Sequence, residues 1–436
     1  MRETPEVLPD RDPFVQEPYL QLGDSQDPAS MMVLWHTEDA ESVWSVEVAG
    51  SAGDPAPASQ AVCAPETERH LVYRARLTGL VPGERFRYQV LRNGEAVFQS
   101  CGRARKSAAQ PVRFALFGDC SHSRPVQREI ARRAAQAEPD FILLAGDIVY
   151  NYGRISEYRE KFFPVYSSAM RSIPFVAAPG NHDMVLPNFG QFADSLAYFL
   201  YWDQPLNGPR IASGAPGTSH VLIGNEAAQP AFLAAAAPRY PVMANYSFDY
   251  GNAHWTVLDS NEYMDWTNPG LRQWLRDDLA AAQGAVWRFV AFHHPGFSSS
   301  NPWFTDQWMR PVAPLLEAGK VDVVFSGHRH NYQRSVPLKF RPGKRNDKGE
   351  VPGEFELNVP GGVIYIVSGA GGAELYDAAQ GSDRATWQPF TERFISDRHT
   401  FTLVDIEGGV FRLRQIADNG EVVDRFCISK QALPGG

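Results

Sequence analysis

The stretch that decides the fold reads FILLAGDIVY (residues 141–150), in which five apolar residues precede Gly146 and Asp147, and Tyr150 follows three positions later. A continuous apolar run of this length is typical of a buried strand. From Pro111 onward such runs alternate with helical segments, and one helix is predicted from Pro125 to Glu138, because proline suits the first position of a helix. This alternation predicts an α/β domain.

Four more apolar runs end in the same way, with polar side chains after the last apolar residue. The five segments end in GD (118–119), GDIVY (146–150), GNHD (180–183), HH (293–294) and GHRH (327–330). A single aspartate after a strand is more often a turn residue or a helix cap than a ligand. Six of the eleven histidines, however, lie in or beside these segments. Because ligands bind outside the carboxyl ends of strands in an open α/β sheet, the joint pattern predicts that all five ends meet at one rim.

The donor types at these ends point to metal chemistry. Carboxylate, amide and imidazole ligands together suit Fe, Zn or Mn. Two such ions ~3.5–4 Å apart clamp a phosphoryl group, and a carboxylate placed between them bridges both. Asp147 is the natural bridge. Gly369-Ala370-Gly371-Gly372 lacks the spacing of a dinucleotide-binding loop, and the chain has neither a Walker A motif nor a Gly-x-Ser-x-Gly elbow.

The five blocks resemble those of the calcineurin-like metallophosphoesterases, and Tyr150 resembles the iron-binding tyrosine of their purple acid phosphatase branch. The resemblance runs from Tyr19 to Lys430 and includes residues 246–252 and 419–426. It implies an α/β metallophosphoesterase sandwich, with sheets flanked by helices, preceded by an all-β fibronectin type III-like sandwich domain.

The resemblance also implies two metal ions, with iron at the first site and Fe, Zn or Mn at the second. It assigns as ligands of the first ion Asp119, Asp147, Tyr150 and His330. It assigns as ligands of the second ion Asp147, Asn181, His293 and His328. His182 is expected to contact the substrate phosphate and to assist the leaving group.

Three further residues are weaker candidates. His294 is either a second proton donor at the pocket rim or a residue that orients a ligand from behind. The first block departs from the family's Gly-Asp-x-Gly, because Cys120 and Ser121 follow Asp119 and His122 comes one position too late to be a ligand. His122 and Arg124 are therefore candidates for the substrate pocket, where a guanidinium grips phosphate with two hydrogen bonds. A helix cap and a surface cation explain these two residues equally well.

The first hundred residues follow a different pattern. Short alternating strands run from Tyr19 to Ala104, and Asn93-Gly94 is typical of a tight hairpin turn. We therefore predict an N-terminal tail over residues 1–16, a β-sandwich over 17–106 and a catalytic domain over 111–432. Residues 205–242, which are rich in Ala, Pro and Gly, form a long loop that we expect to set substrate preference.

Composition limits the partners and the compartment. The chain has 41 Lys and Arg against 50 Asp and Glu, a net charge of −9, and it has no long apolar stretch. We therefore expect a small phosphorylated substrate, with neither nucleic acid nor a membrane as partner, and the oligomeric state stays open. Residues 1–6 lack the apolar core of a secretory signal, which favours the cytoplasm if the chain is complete and the periplasm or secretion if a signal was removed. Cys63 and Cys101 could pair, although free thiols are favoured.

The expected reaction is direct hydrolysis of phosphate monoesters by attack of a metal-bound hydroxide, which makes the chain an acid phosphatase-like enzyme. A phosphodiesterase or nucleotidase on the same binuclear site is the first alternative, because the metal ligands do not define the ester. A binding protein whose catalytic domain has decayed is the second. The intact set of seven expected ligands argues against decay.

Overall fold

The computed structural model describes residues 13–38, 40–49, 56–63, 69–122, 124–185, 188–210, 212, 214–376 and 378–430. Three predicted features lie outside the described part: most of the N-terminal tail, the end of the predicted catalytic domain at 431–432, and the side chain of Cys63. Cys101, the suggested partner of Cys63, is an exposed free thiol.

The N-terminal part is an antiparallel β-sandwich of two four-stranded sheets, in the orders β1-β2-β6-β5 and β4-β3-β7-β8. Its strands are β1 (Gln16–Gln21), β2 (Met31–Thr37), β3 (Trp44–Val48), β4 (Ala56–Pro57), β5 (Ser59–Cys63), β6 (His70–Leu77), β7 (Arg85–Arg92) and β8 (Glu95–Arg103). Buried aromatic rings fill the space between the sheets, with Trp35 stacked on Tyr73 at 5.5 Å. Asn93 and Gly94 turn β7 into β8 with φ values of 52° and 85°, as the hairpin motif predicts. The sandwich part of the predicted fold class is confirmed.

The rest of the chain forms two mixed sheets and a short hairpin. The strands are β9 (Val112–Phe117), β10 (Phe141–Ala145), β11 (Phe175–Ala178), β12 (Tyr246–Tyr250), β13 (Ala253–Val257), β14 (Trp287–Ala291), β15 (Val323–Ser326), β16 (Tyr332–Ser335), β17 (Leu338–Pro342), β18 (Gly353–Leu357), β19 (Ile364–Ser368), β20 (Thr391–Ile395), β21 (Thr400–Glu407), β22 (Val410–Ala417) and β23 (Val422–Ser429). The sheets have the orders β11-β10-β9-β21-β22-β23 and β12-β13-β14-β15-β19-β16-β20, and β17 pairs with β18.

Short helices connect these strands. They are α1 (Pro125–Gln136), α2 (Ile155–Glu157), α3 (Phe163–Met170), α4 (Asn181–Met184), α5 (Tyr198–Tyr201), α6 (Ala228–Ala236), α7 (Pro269–Ala281) and α8 (Ala313–Ala318). Helix α1 begins at Pro125, as predicted, and ends two residues before Glu138, which adopts a φ of 52° that a right-handed helix cannot continue. In the described part of the chain, no helix is long and apolar enough to span a membrane.

Aromatic side chains pack the two large sheets face to face. The ring of Phe114 on β9 meets Trp255 of the opposite sheet edge to face at 4.8 Å, and Trp255 stacks on Phe325 at 5.8 Å. The five strands with polar ends are divided between the two sheets: β9, β10 and β11 are parallel neighbours in one, and β14 and β15 in the other. The family resemblance implied such a sandwich of sheets, which is confirmed, but hydrophobic periodicity carries no signal for which strands join which sheet.

The sandwich contacts the part of the chain that contains the two mixed sheets. The hydroxyl of Tyr19 donates to the carbonyl of Tyr201 at 2.8 Å, and the hydroxyl of Tyr88 donates to the carbonyl of Arg171 at 2.8 Å. The long segment 205–242 contains α6, whose Phe232 packs on Phe189 and Tyr240. The segment is thus partly helical, whereas its composition predicted a loop throughout, because alanine-rich helices of low amphipathicity show no period.

Candidate metal centre

Three of the expected ligands lie just beyond the ends of strands in an unusual backbone conformation. Asp119 after β9, Asp147 after β10 and His328 after β15 have φ values of 56°, 50° and 64°. Residues other than glycine rarely adopt this left-handed region, and those that do cluster at functional sites. The amide of His328 donates to Asp119 Oδ2 at 2.8 Å, so that these turns hold one another.

Three side chains form a first cluster of ligand atoms. The hydroxyl oxygen of Tyr150 lies 3.2 Å from Asp119 Oδ1 and 3.2 Å from His330 Nε2, and the last two atoms are 3.3 Å apart. The Nδ1 atom of His330 contacts the carbonyl of Glu374 at 2.6 Å, which leaves Nε2 directed at the cluster. These are three of the four ligands expected for the first ion.

A second cluster forms around His293. Its Nε2 atom lies 3.1 Å from Asn181 Oδ1 and 3.3 Å from Asp147 Oδ1, while Nδ1 contacts the carbonyl of Ala145 at 2.8 Å. A ligand atom of each of Asp119, Asp147 and His293 lies within 4.8 Å of the others, and the same holds for His293, His294 and His328. The structure therefore brings all seven expected ligands together around two centres.

The buried negative charge of this centre favours the binding of cations. Asp119 is fully buried and Asp147 is 1% exposed, and within the described residues their ion-pair partners are histidines rather than Lys or Arg. Burial by itself would raise the pKa of Asp147, but His293 and His182 outweigh it and hold that pKa well below the usual range. Buried carboxylates are costly unless they are paired or coordinate a metal. The donor set therefore fits the two ions that the fold family implies.

Burial and the charge of Asp119 raise the pKa of Tyr150 well above its ordinary value. Only a compensating positive charge allows such a phenol to bind as phenolate. For His293, burial lowers the pKa, yet the Asp147 and Asp119 carboxylates raise it to about 9. Burial is the larger cause for Tyr150, and the negative charge of Asp119 and Asp147 contributes to raising both pKa values.

Two glycines leave room for these ligands. Gly146 has a φ of 85°, and a Cβ atom there would collide with the His293 imidazole. A Cβ atom at Gly327 would lie 2.7 Å from Asp119 Oδ2. Both positions therefore exclude a side chain, which explains the Gly-Asp and Gly-His pairs in the motifs.

The two expected proton donors differ in environment. The side chain of His182 is 31% exposed, its Nδ1 lies 2.9 Å from the carbonyl of Asn151, and its Nε2 lies 4.0 Å from Asp147 Oδ2. His294 is buried, and its Nδ1 lies 3.0 Å from Ser260 Oγ. Burial and the nearby His293 hold the pKa of His294 well below its usual range, so that it is neutral at neutral pH. This environment suits the orienting or ligating role better than the role of an acid.

The other two substrate-site candidates lie at the edge. The ring centroid of His122 is 5.0 Å from that of Tyr150, and burial lowers the pKa of its imidazole. Arg124 pairs with Glu374 at 3.0 Å on the surface. Neither lines the main cavity described next, so that their substrate role stays a prediction.

A cavity of about 890 Å³ opens onto the centre. Asp147, Asn181, His182, His328 and His330 form its inner wall, and its outer wall comes from segments that carry none of the motifs. Among these are Trp303, Trp308 and the loop between β17 and β18. The cavity can hold a substrate much larger than phosphate itself.

Sequence reasoning missed three residues that support the centre. Asp306 Oδ2 lies 3.1 Å from His328 Nε2, and the hydroxyl of Tyr376 lies 3.3 Å from His330 Nε2, with the two rings stacked at 4.1 Å. Asp183 accepts from the amides of Ile148 and Gly180 at 3.1 and 2.8 Å, which fixes the turns that carry Asp147 and Asn181. Of these three residues, only Asp183 could have been found from the sequence, because it is the last residue of the GNHD motif. Asp306 and Tyr376 come from loops without a recognisable pattern.

Comparisons with known proteins agree with this geometry. The sequence model of the calcineurin-like phosphoesterases matches residues 112–332, about half of the chain. "Probable inactive purple acid phosphatase 1" of Arabidopsis thaliana is 26% identical over 393 residues, covering 82% of this chain and 58% of its own length. Purple acid phosphatase 23 of the same plant is 25% identical over 316 residues, covering 69% and 62%. The chain thus spans less than two thirds of either relative.

Among solved structures, the purple acid phosphatase PPD1 from yellow lupin (Lupinus luteus) seeds superposes with a TM-score of 0.69 at 19% identity. The superposition covers 96% of this chain and 75% of the lupin protein. It therefore includes the β-sandwich as well as the two mixed sheets. The predicted fold class is confirmed over both parts.

Proposed function

Because the chain belongs to the calcineurin-like phosphoesterase family and is similar to its purple acid phosphatases, we propose that it hydrolyses phosphate monoesters at a centre of two metal ions. The observation that carries the proposal is the convergence of five further N and O donors on two buried carboxylates, Asp119 and Asp147, that have no Lys or Arg partner among the described residues. Because one similar protein is described as probably inactive, the proposal of activity depends on this chain having all seven expected ligands.

Asp119, Asp147, Tyr150 and His330 would hold the first ion, which we propose to be iron. Asp147, Asn181, His293 and His328 would hold the second, which we propose to be Fe, Zn or Mn. Two such ions activate water at neutral pH and stabilise the charge on a phosphoryl group.

Residues of the chain would transfer the proton, orient the proposed ligands and hold the ester. His182 faces the cavity, and its Nδ1 donates to the carbonyl of Asn151, so that Nε2 is the nitrogen that can carry a proton to the leaving oxygen. The contact of His293 Nδ1 with the Ala145 carbonyl fixes the tautomer that presents Nε2 to the centre. Asp183 holds the two turns on either side of Asp147. The walls of the cavity orient the ester and limit the access of water.

The proposal is tested by measuring metal content and the hydrolysis of p-nitrophenyl phosphate and bis-p-nitrophenyl phosphate on the same preparation. We expect about two ions per chain, one of them iron, and a preference for the monoester. His182→Asn should lower kcat by roughly 100-fold or more while the metal content stays the same. A preference for the diester would favour the phosphodiesterase reading. A protein that binds no Fe, Zn or Mn would overturn the proposal in favour of a decayed binding protein.

A further inference from the structure

Two cations line the cavity outside the metal centre. Arg345 and Lys348 lie on the loop between β17 and β18, both are exposed, and both contribute to the cavity wall. Within the described residues, neither forms an ion pair with a carboxylate. In a chain with a net charge of −9, two unpaired cations in one cavity wall make a local positive site.

A chain of ring contacts connects these cations to the centre. The ring of His328 lies 4.4 Å from that of His294, which lies 4.9 Å from that of Trp308, and the Arg345 guanidinium lies 5.9 Å from the Trp308 ring. Along this path, two rings lie between the Arg345 guanidinium and His328, the nearest expected ligand. Because Arg345 and the metal ligands line the same cavity, a molecule whose phosphate is held at the centre can reach Arg345 with a second anionic group.

Two tryptophans, Trp303 and Trp308, also line the cavity, and hydrogen bonds fix both in place. Trp303 is 59% exposed at the cavity wall and has a φ of 59°, which is strained for a bulky residue. The buried guanidinium of Arg329 donates to its carbonyl, and the indole of Trp308 donates to the carbonyl of Ser260 at 2.7 Å. An indole held exposed against both hydrophobic burial and backbone preference is suited to stacking on a ligand ring.

The carboxylates of the cavity leave this positive charge available. Asp306, the carboxylate nearest to the ring chain, contacts His328 and lies 3.5 Å from an Arg329 nitrogen. Glu262 also lines the cavity, next to Tyr263, and forms no ion pair with Arg345 or Lys348. Arg345 Nε donates to the carbonyl of Gly349 at 3.3 Å and the Arg345 charge also acts on Asp306, so that the remaining N–H groups of Arg345 and the ammonium of Lys348 are the donors offered to an anion.

We propose that Arg345 and Lys348 form a second anion subsite, and that the substrate is a phosphate monoester whose leaving group carries an aromatic ring and a second phosphate beyond it. The inference rests on the proposed hydrolase activity and names the substrate class of that same site. The scissile phosphate binds at the metal centre, the ring lies against Trp303 and Trp308, and the second phosphate contacts the two cations.

The test compares matched pairs of aryl esters on the metal-loaded protein. The pairs are phenyl phosphate with hydroquinone bisphosphate, and 4-biphenylyl phosphate with 4,4′-biphenol bisphosphate, so that two spacer lengths are sampled. In at least one pair we expect kcat/KM to be about tenfold higher for the bisphosphate, after correction for its two equivalent phosphates, as for one charge-assisted hydrogen bond. Arg345→Gln combined with Lys348→Gln should abolish that preference and leave phenyl phosphate hydrolysis unchanged.

Lys344→Gln is the matched control, because Lys344 is an exposed cation on the same loop that does not line the cavity. Equal kcat/KM values within both pairs, or an equal loss on monophosphates and bisphosphates in the double variant, would overturn the subsite. If no ester is hydrolysed, the hydrolase proposal fails instead. Calorimetric binding of 4,4′-biphenol bisphosphate, weakened about tenfold by the double variant and not by the control, then still tests the subsite.

Discussion

The carboxylate of Asp306 and the imidazole of His328 meet through Oδ2 and Nε2 at 3.1 Å. The contact engages Nε2 of His328, which leaves Nδ1 as the nitrogen available to the proposed second ion. It therefore fixes the ring orientation and the tautomer with which the other nitrogen can bind a metal. Asp306 itself is held by Arg329, so that the ligand is supported by a charged pair at the cavity wall.

Asp306→Asn should accordingly weaken metal binding at the second site. The substitution keeps the shape but removes the charge that orients His328, and we expect a roughly 10- to 100-fold loss of affinity. Competition with a chelator, followed by mass spectrometry of the retained ions, measures it. Asp277→Asn is the control, because Asp277 is exposed on α7 and bonds only to Gln273 among the described residues. Equal retention of both ions in the two variants would contradict the orienting role.

Tyr150→Phe should remove the visible colour of the iron-loaded protein. We expect that colour because a phenolate bound to ferric iron gives a charge-transfer band, and phenylalanine has no oxygen to supply it. The matched control is Tyr376→Phe, whose hydroxyl lies 3.3 Å from the same His330 nitrogen but is not a proposed ligand. Absorption spectra of the two variants at equal iron content decide the point. Loss of the band in Tyr376→Phe rather than in Tyr150→Phe would show that Tyr376, and not Tyr150, supplies the phenolate ligand.

Gly146→Ala should destabilise the protein more than its backbone conformation alone explains. Both Gly146 and Gly361 have positive φ, at 85° and 69°, but only at Gly146 would a Cβ atom meet another side chain, that of His293. We expect Gly361→Ala to cost about 1 kcal/mol of unfolding free energy and Gly146→Ala at least about 2 kcal/mol more. Urea unfolding of both variants measures the difference. Equal losses would show that the His293 ring moves aside freely.

His254 should make the stability depend on pH far from the metal centre. Burial lowers its pKa, but its contacts with Asp249 at 2.8 Å and Asp278 at 3.2 Å outweigh burial and raise the pKa to about 9. Because the folded-state value exceeds the ordinary 6.5, the stabilisation is fully present below about pH 6.5 and is lost as the pH rises through about 9. His254→Gln should therefore lower the unfolding free energy by about 2 kcal/mol at pH 6 and by much less at pH 10. A loss of the same size at both pH values would exclude the ionic contribution.

The expected ligands could be singled out because each stands in a short motif directly after an apolar strand. The strand-end rule brought Asp119, Asp147 and His328 to one rim, and the resemblance to the family's motifs made them proposed metal ligands. The supporting residues were not predictable for the opposite reason. Asp306, Tyr376, Arg345 and Trp303 lie in irregular loops, where neither hydrophobic period nor spacing records which strand end a side chain will face. The family resemblance implied a sandwich of sheets, but the assignment of each strand to one sheet could not be predicted, since β9 and β14 have the same apolar pattern.

That division has a consequence for how the molecule holds together. Asp119, Asp147 and Asn181 follow strands of one sheet, whereas His293 and His328 follow strands of the other. Ions bound between them would tie the two sheets together at this edge. The bound ions would then stabilise the folded state in addition to their proposed role in the reaction. Folding and metal binding would be thermodynamically linked, so that each favours the other.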